Sequence, residues 1–254
     1  MHYGFYTAAA GILSQQRGLN TIANNLANSQ TPGYKTERTL TTTFDYEYMT
    51  RFEKGYKTHI GKNSPLLQVD EVITDFQTSS LEETGYPYDM GLVGEGFFNI
   101  KGNEHTYLTR NGNFDIDSEG YLILPEIGRV QGKVMGEDGN VVVGDIYVGG
   151  ADVTVNDQGM VWDNLGNYAG ELYITQPNDL NSMQKYSNGM FVSNDVQDVN
   201  TPTVFQNTLE RSNIDMNSEY ERVLETQNAL VACSTALKVM DQMNTKSTEL
   251  CSVM

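Results

Sequence analysis

The residues best spaced to hold a metal ion are acids. Asp115, Asp117 and Glu119 alternate, Gly120 takes the sixth position and Glu126 the twelfth, which is the layout of an EF-hand calcium loop. Such a loop needs a helix on each side. Here Phe114 and Ile116 alternate into it and Tyr121-Leu122-Ile123-Leu124 leaves it as a strand, with Pro125 beside the would-be bidentate acid. The acids therefore read as the turn of a hairpin. Gly94-x-Gly96 lacks the third glycine and the following helix of a dinucleotide site and reads as a tight turn. His2, His59 and His105 have no metal-ligand spacing, and neither a Gly-x-Ser-x-Gly elbow nor a Cys-His pair occurs. Glu82 and Glu83 are neighbours in an extended segment, so they point to opposite faces and cannot work as an acid–base pair. Cys233 and Cys251 share one helical pattern about 27 Å apart at helical rise, too far to pair within a straight helix. Both read as small buried hydrophobes. No catalytic, cofactor or metal site is expected, and the chain does not read as an enzyme.

Charge narrows the partners. The 254 residues carry a net charge of −17, which excludes binding dominated by phosphate, whether of nucleic acid or of an anionic membrane surface. All acidic residues except Asp241 and Glu249 lie between Lys35 and Glu225, so the acid belongs to a solvated middle and not to the two ends. An apolar content of 39% supports a real core. No run approaches the ~18 apolar residues of a membrane span, and no basic leader with an apolar core opens the chain, so composition alone points to the cytosol.

The elements that must do the positioning stand at the two ends. Phe5, Ile12, Leu19 and Leu26 fall seven apart, with Ala8, Ala9, Ile22 and Ala23 filling in, and predict a helix of about 26 residues, or 39 Å, with a coiled-coil stripe. Arg17 is its only charged side chain. Small uncharged residues on every face predict neighbours on several sides, which an assembly supplies better than one globule. The run then stops in Asn24-Asn25-Leu26-Ala27-Asn28-Ser29-Gln30-Thr31-Pro32-Gly33-Tyr34-Lys35, residues that compete for backbone hydrogen bonds, followed by a Pro-Gly turn. Near the other end Ser218-x-x-Glu221 predicts a capped helix start, with a spine of Val223, Leu230 and Leu237 and an upstream extension through Leu209 and Met216. The two heptad segments are expected to pair as a coiled coil. Between them, short apolar runs are punctuated by Asn111-Gly112, Ser118-Glu119-Gly120, Glu137-Asp138-Gly139, Asp157-Gln158-Gly159 and Asn164-Leu165-Gly166, which predicts antiparallel hairpins. The expected fold is α+β, with a mainly antiparallel, sandwich- or barrel-like central domain and long terminal helices. Its expected divisions are residues 1–35 for the first helix, 36–80 for an extended, partly β linker, 81–205 for the all-β domain and 206–254 for the second helix.

Ala23-Asn24-Asn25-Leu26-Ala27-Asn28 with Thr31-Pro32-Gly33-Tyr34-Lys35 resembles the N-terminal signature of the flagellar rod and hook family, the axial proteins of the bacterial flagellum. The middle is similar to the β-domain pattern of that family at Gly94-Glu95-Gly96-Phe97-Phe98 and at Tyr107-Leu108-Thr109-Arg110-Asn111-Gly112-Asn113-Phe114. Leu209-Glu210-Arg211-Ser212-Asn213-Ile214-Asp215 resembles its C-terminal motif. One stretch departs: Gln227-Asn228-Ala229-Leu230 stands where the family often has Gln-Arg followed by an aromatic. The resemblance implies a rod subunit of the basal body, exported through the flagellum's own channel without a cleaved signal. It also implies a homo-oligomeric helical tube that contacts other rod and hook subunits and the export apparatus, with no cofactor. Phe5, Ile12, Leu19, Ile22, Leu26, Val223, Leu230 and Leu237 would form the assembly interface. Asn24, Asn25, Asn28, Thr31, Pro32, Gly33, Tyr34 and Lys35 would set the helix exit, and the acidic domain would face outward. A hook protein and a non-flagellar extracellular β-domain binding module are the alternative readings.

Overall fold

The computed structural model describes residues 2–43, 47–53, 56–63, 67–102, 105–136, 139–150, 153–163, 165–186, 189–199 and 201–252, with side chains described outside 2–3, 43–70 and 251–252. Phe44 and Tyr46 of the expected linker and Glu137, Asp138 and Asn164 of the expected turns lie outside the described residues, as does the side chain of Cys251. The chain forms two compact units, one of residues 1–27, 37–75 and 215–254 and the other of 28–36 and 76–214. It is α+β, with one helix near each end and antiparallel strands between.

In the helical unit, α1 spans His2–Ala27 and α2 spans Met216–Ser252. Strand Glu37–Thr43 pairs antiparallel with Leu67–Thr74, and Glu47–Glu53 with Tyr56–Asn63, so the stretch after α1 is largely strand. The start of α2 differs from the expected capping box at Ser218. Asp215 caps the helix instead: its carboxylate accepts from the Asn217 N–H at 3.0 Å and its carbonyl from the Glu219 N–H at 3.0 Å. Glu219 rather than Glu221 turns inward, buried and paired with Arg222 at 3.1 Å. Leu209 does not extend the helix. It lies in strand Thr208–Glu210, which pairs with Leu81–Glu83.

The β unit is built round a 13-stranded antiparallel sheet system whose centre is Gly128–Met135 beside Phe97–Lys101 and Thr106–Thr109. Alternating inward residues fill its core, among them Phe98, Ile100, Leu122, Val130, Ile146, Val161, Leu172 and Val204. Phe97, Leu108 and Phe191 form a second cluster on which Phe76 packs edge-on. The glycine turns hold at Gly120, Gly139, Gly159 and Gly166, all with positive φ. Asn111-Gly112 is not a hairpin. Gly112 is needed there because a Cβ would lie 1.8 Å from the Met90 carbonyl oxygen. The supposed calcium loop is a hairpin, Asp115–Ile116 against Leu122–Leu124. Its acids face a guanidinium: Arg129 meets Asp117, Glu119 and also Asp145, and stacks 4.1 Å from the centre of the Tyr121 ring.

Candidate functional site

Within the β unit, three segments distant in sequence meet at one buried carboxylate. Glu210 is 1% exposed and takes the Lys35 ammonium at 2.7 Å on one oxygen and the Arg110 guanidinium at 3.3 Å on the other. Lys35 also donates to the Gln77 carbonyl at 2.8 Å, Arg110 to the Gly94 carbonyl at 2.7 Å, and the Ser79 N–H to Glu210 at 3.0 Å. Burial draws the Arg110 guanidinium down from its ordinary pKa, with the Glu210 carboxylate pulling the other way. Two cations and one anion out of water form a tie that holds only while all three are present.

The backbone around this tie is equally constrained. Gly33 donates to the Glu210 carbonyl at 2.7 Å and has φ +66°, and a Cβ there would lie 2.3 Å from the Arg110 carbonyl carbon. Only glycine satisfies both conditions. Tyr34, 1% exposed, lies under Lys185, whose ammonium is 4.7 Å from the ring centre and 3.2 Å from the phenol oxygen. Asn213 accepts from both the N–H and the hydroxyl of Thr36 at 2.7 Å. Upstream, Asn28 closes the turn by accepting from the Thr31 N–H at 3.1 Å and from its hydroxyl at 3.2 Å, and Pro32 follows half-buried.

In the helical unit, α1 and α2 lie side by side and antiparallel. A Cβ on Gly4 would meet Met240 at 3.0 Å and one on Gly11 would meet the Cys233 sulfur at 3.2 Å, while Asn25 reaches Glu219 at 3.4 Å. Partners descend α2 by the same multiples of seven by which they climb α1. Gly18 occupies the remaining step, with Thr39 over it. Asn25, fully buried, donates to the Glu37 carbonyl at 2.8 Å and accepts from the Glu37 N–H at 3.0 Å, so its amide pairs with the strand as another backbone would. Asn24 stands outside it, 3.5 Å from the Glu37 carboxylate.

Of the residues expected at an assembly interface, Ile22 is buried, Phe5 is 43% exposed, and Ile12, Leu19, Leu26, Val223, Leu230 and Leu237 are half-buried. The α1 residues that meet α2 lie one position before Phe5, Ile12 and Leu26, at Gly4, Gly11 and Asn25, while Gly18, in the same register before Leu19, faces Thr39. Sequence reading missed these glycines, although their seven-residue spacing was visible.

Glu210 is enclosed, with the ammonium and the guanidinium held against it. The site is architectural. Residues 5–35 match the family described as "Flagella basal body rod protein", and residues 91–163 match "Flagellar hook protein FlgE/F/G D1 domain". Both matches are to the axial proteins of the flagellar rod and hook, a structural family. Within that family it is similar to the basal-body rod protein FlgF of Caulobacter vibrioides, 27% identical over 95% of this chain and 93% of the relative. It is also similar to FlgG of Agrobacterium fabrum, 28% identical over 93% and 94%. The hook protein FlgE of Treponema pallidum is 29% identical over 52% of this chain and 30% of that protein.

Proposed function

We infer that the chain is a subunit of the flagellar basal-body rod. It polymerises through α1 and α2, supercoiled as a coiled coil, into a helical tube that transmits torque, in contact with other rod and hook subunits and after delivery by the export apparatus. The observation that carries this reading is the state of the helix pair. It is joined along a glycine seam, and yet Tyr6, Leu13, Leu224 and Val231 on its outer faces are about 60% exposed. Surfaces so rich in large apolar groups and poor in charge belong at contacts. The sevenfold stepping of the seam supports the supercoil. Similarity that runs the length of the rod relatives, against half of this chain for the hook relative, favours rod over hook.

The test is deletion of the chain from its own cell followed by purification of hook–basal bodies. Truncated rods that regain full length when the chain is restored are expected. Complete, rotating basal bodies without the chain would refute the reading.

A further inference from the structure

The outer faces of the helix pair define which surface of one copy meets which surface of the next. On α1, Tyr6 and Leu13 stand two residues beyond the seam positions Gly4 and Gly11, about 200° round the helix and so facing away from α2. On α2, Val231 stands two residues before Cys233, facing away from α1 by the same geometry, and Leu224 repeats that position one heptad earlier. Each pair is seven residues apart, and the four side chains are 61–62% exposed. The two stripes therefore lie on opposite sides of the pair and differ in composition.

Charge distinguishes them further. The outer side of α1 carries Arg17, exposed and the only charged residue of that helix. The first half of α2 carries Glu219, Glu221, Arg222 and Glu225. Glu219 is buried against Arg222, and Glu225 borders the groove beside strand Glu37–Thr43, which leaves Glu221 as the exposed acid on the outer side.

Resting on the rod reading, we propose that the α1 outer stripe of one copy docks antiparallel on the α2 outer stripe of a second copy, with Tyr6 on Val231, Leu13 on Leu224 and Arg17 against Glu221. The spacings agree. Seven residues separate the apolar pairs on both helices, and Arg17 lies four beyond Leu13 where Glu221 lies three before Leu224, within one helical turn. Unlike stripes on opposite sides make a heterologous contact, which adds copies in one direction and does not close as a two-fold dimer.

The test is charge exchange in the full chain, supplied to cells lacking the native copy, with the amount in purified hook–basal bodies measured. Arg17→Glu and Glu221→Arg should each lower incorporation about tenfold or more, because like charges then face across the contact, and the two together should restore it to within about threefold of the parent. Both positions are exposed, so circular dichroism of each purified variant should match the parent. Single variants that incorporate normally, or a double variant no better than the singles, overturn the pairing while the rod reading stands. Absence of the parent chain from the basal bodies would overturn the rod reading itself.

Discussion

Glu210→Gln should cost the β unit about 3–5 kcal/mol, the penalty of breaking a buried ion pair while leaving charge behind. The substitution keeps shape and one acceptor but removes the only anion of the tie. Lys35 and Arg110, 1% and 4% exposed, would remain as two cations without a counter-charge, 2.7 and 3.3 Å from the new amide. Urea unfolding followed by the fluorescence of the chain's single tryptophan, Trp162 in the β unit, reads the effect directly. With a slope of about 2 kcal/mol per molar, the midpoint should fall by roughly 2 M. Glu82→Gln is the control, since the Glu82–Arg211 pair is 62% and 61% exposed and should be worth less than about 1 kcal/mol. Replacing all three members with apolar residues, Lys35→Met, Arg110→Met and Glu210→Leu, should destabilise less than Glu210→Gln alone, because no charge is stranded. A Glu210→Gln midpoint that falls no further than that of Glu82→Gln would refute the reasoning.

Gly33→Ala should cost at least about 3 kcal/mol in the same assay, through the left-handed backbone and the clash with Arg110 together. Gly85→Ala, at φ +74° with nothing within 4 Å of its Cβ, should cost only about 1, and equal costs would remove the packing argument. Asn25→Asp should lower the thermal midpoint of the helical signal by more than Asn25→Ala, since a carboxylate there faces the Glu37 carbonyl and Glu219 with no proton to give; the reverse order would contradict the clamp. Tyr173 is pushed up to about 12 by burial and by donating to Asp198, so its contribution is complete below the ordinary tyrosine pKa near 10 and is lost as pH rises through 12. Tyr173→Phe should flatten the alkaline loss of stability in that window, and a variant whose alkaline curve follows the parent would count against it. In the free subunit, amide exchange should quicken along α1 from Ala27 toward His2 and along α2 from Met216 toward Ser252, and uniform protection along both helices would contradict this.

The helices were legible because their pattern is local: seven-residue spacing and an absence of charge can be read without knowing any partner. The phase of the seam was not, because large apolar residues draw the eye to Phe5 and Ile12, whereas close approach of two helices is set by the small residues beside them. The signature residues were visible as a motif, but their chemistry was not. Lys35 finds its acid 175 positions away and Asn213 finds Thr36 at 177, separations that no periodicity encodes. Asn111-Gly112 misled for a related reason. The glycine answers to the Met90 backbone pressed against it, a tertiary demand that in sequence looks the same as a hairpin turn. The calcium-like loop was expected to be a hairpin from its flanking strands and is one, while Arg129, which its acids face, lies outside the motif.

The path of the chain explains why such distant residues had to be tied together. Asn28–Thr36 belongs to the β unit, although α1 before it and strand Glu37–Thr43 after it belong to the helical one. The same is true of the residues up to Ile214, immediately before α2. Each helix has its own device at the end next to those segments, the Asn25 clamp on α1 and the Asp215 cap on α2. Nucleation is the costly step of helix formation, and these contacts supply it. Propagation needs burial, which α2 lacks beyond its root: Glu219 is its only buried side chain among the described residues. The contrast between a β unit tied by buried charge and a helix with leucines left exposed thus follows from where the sequence puts each.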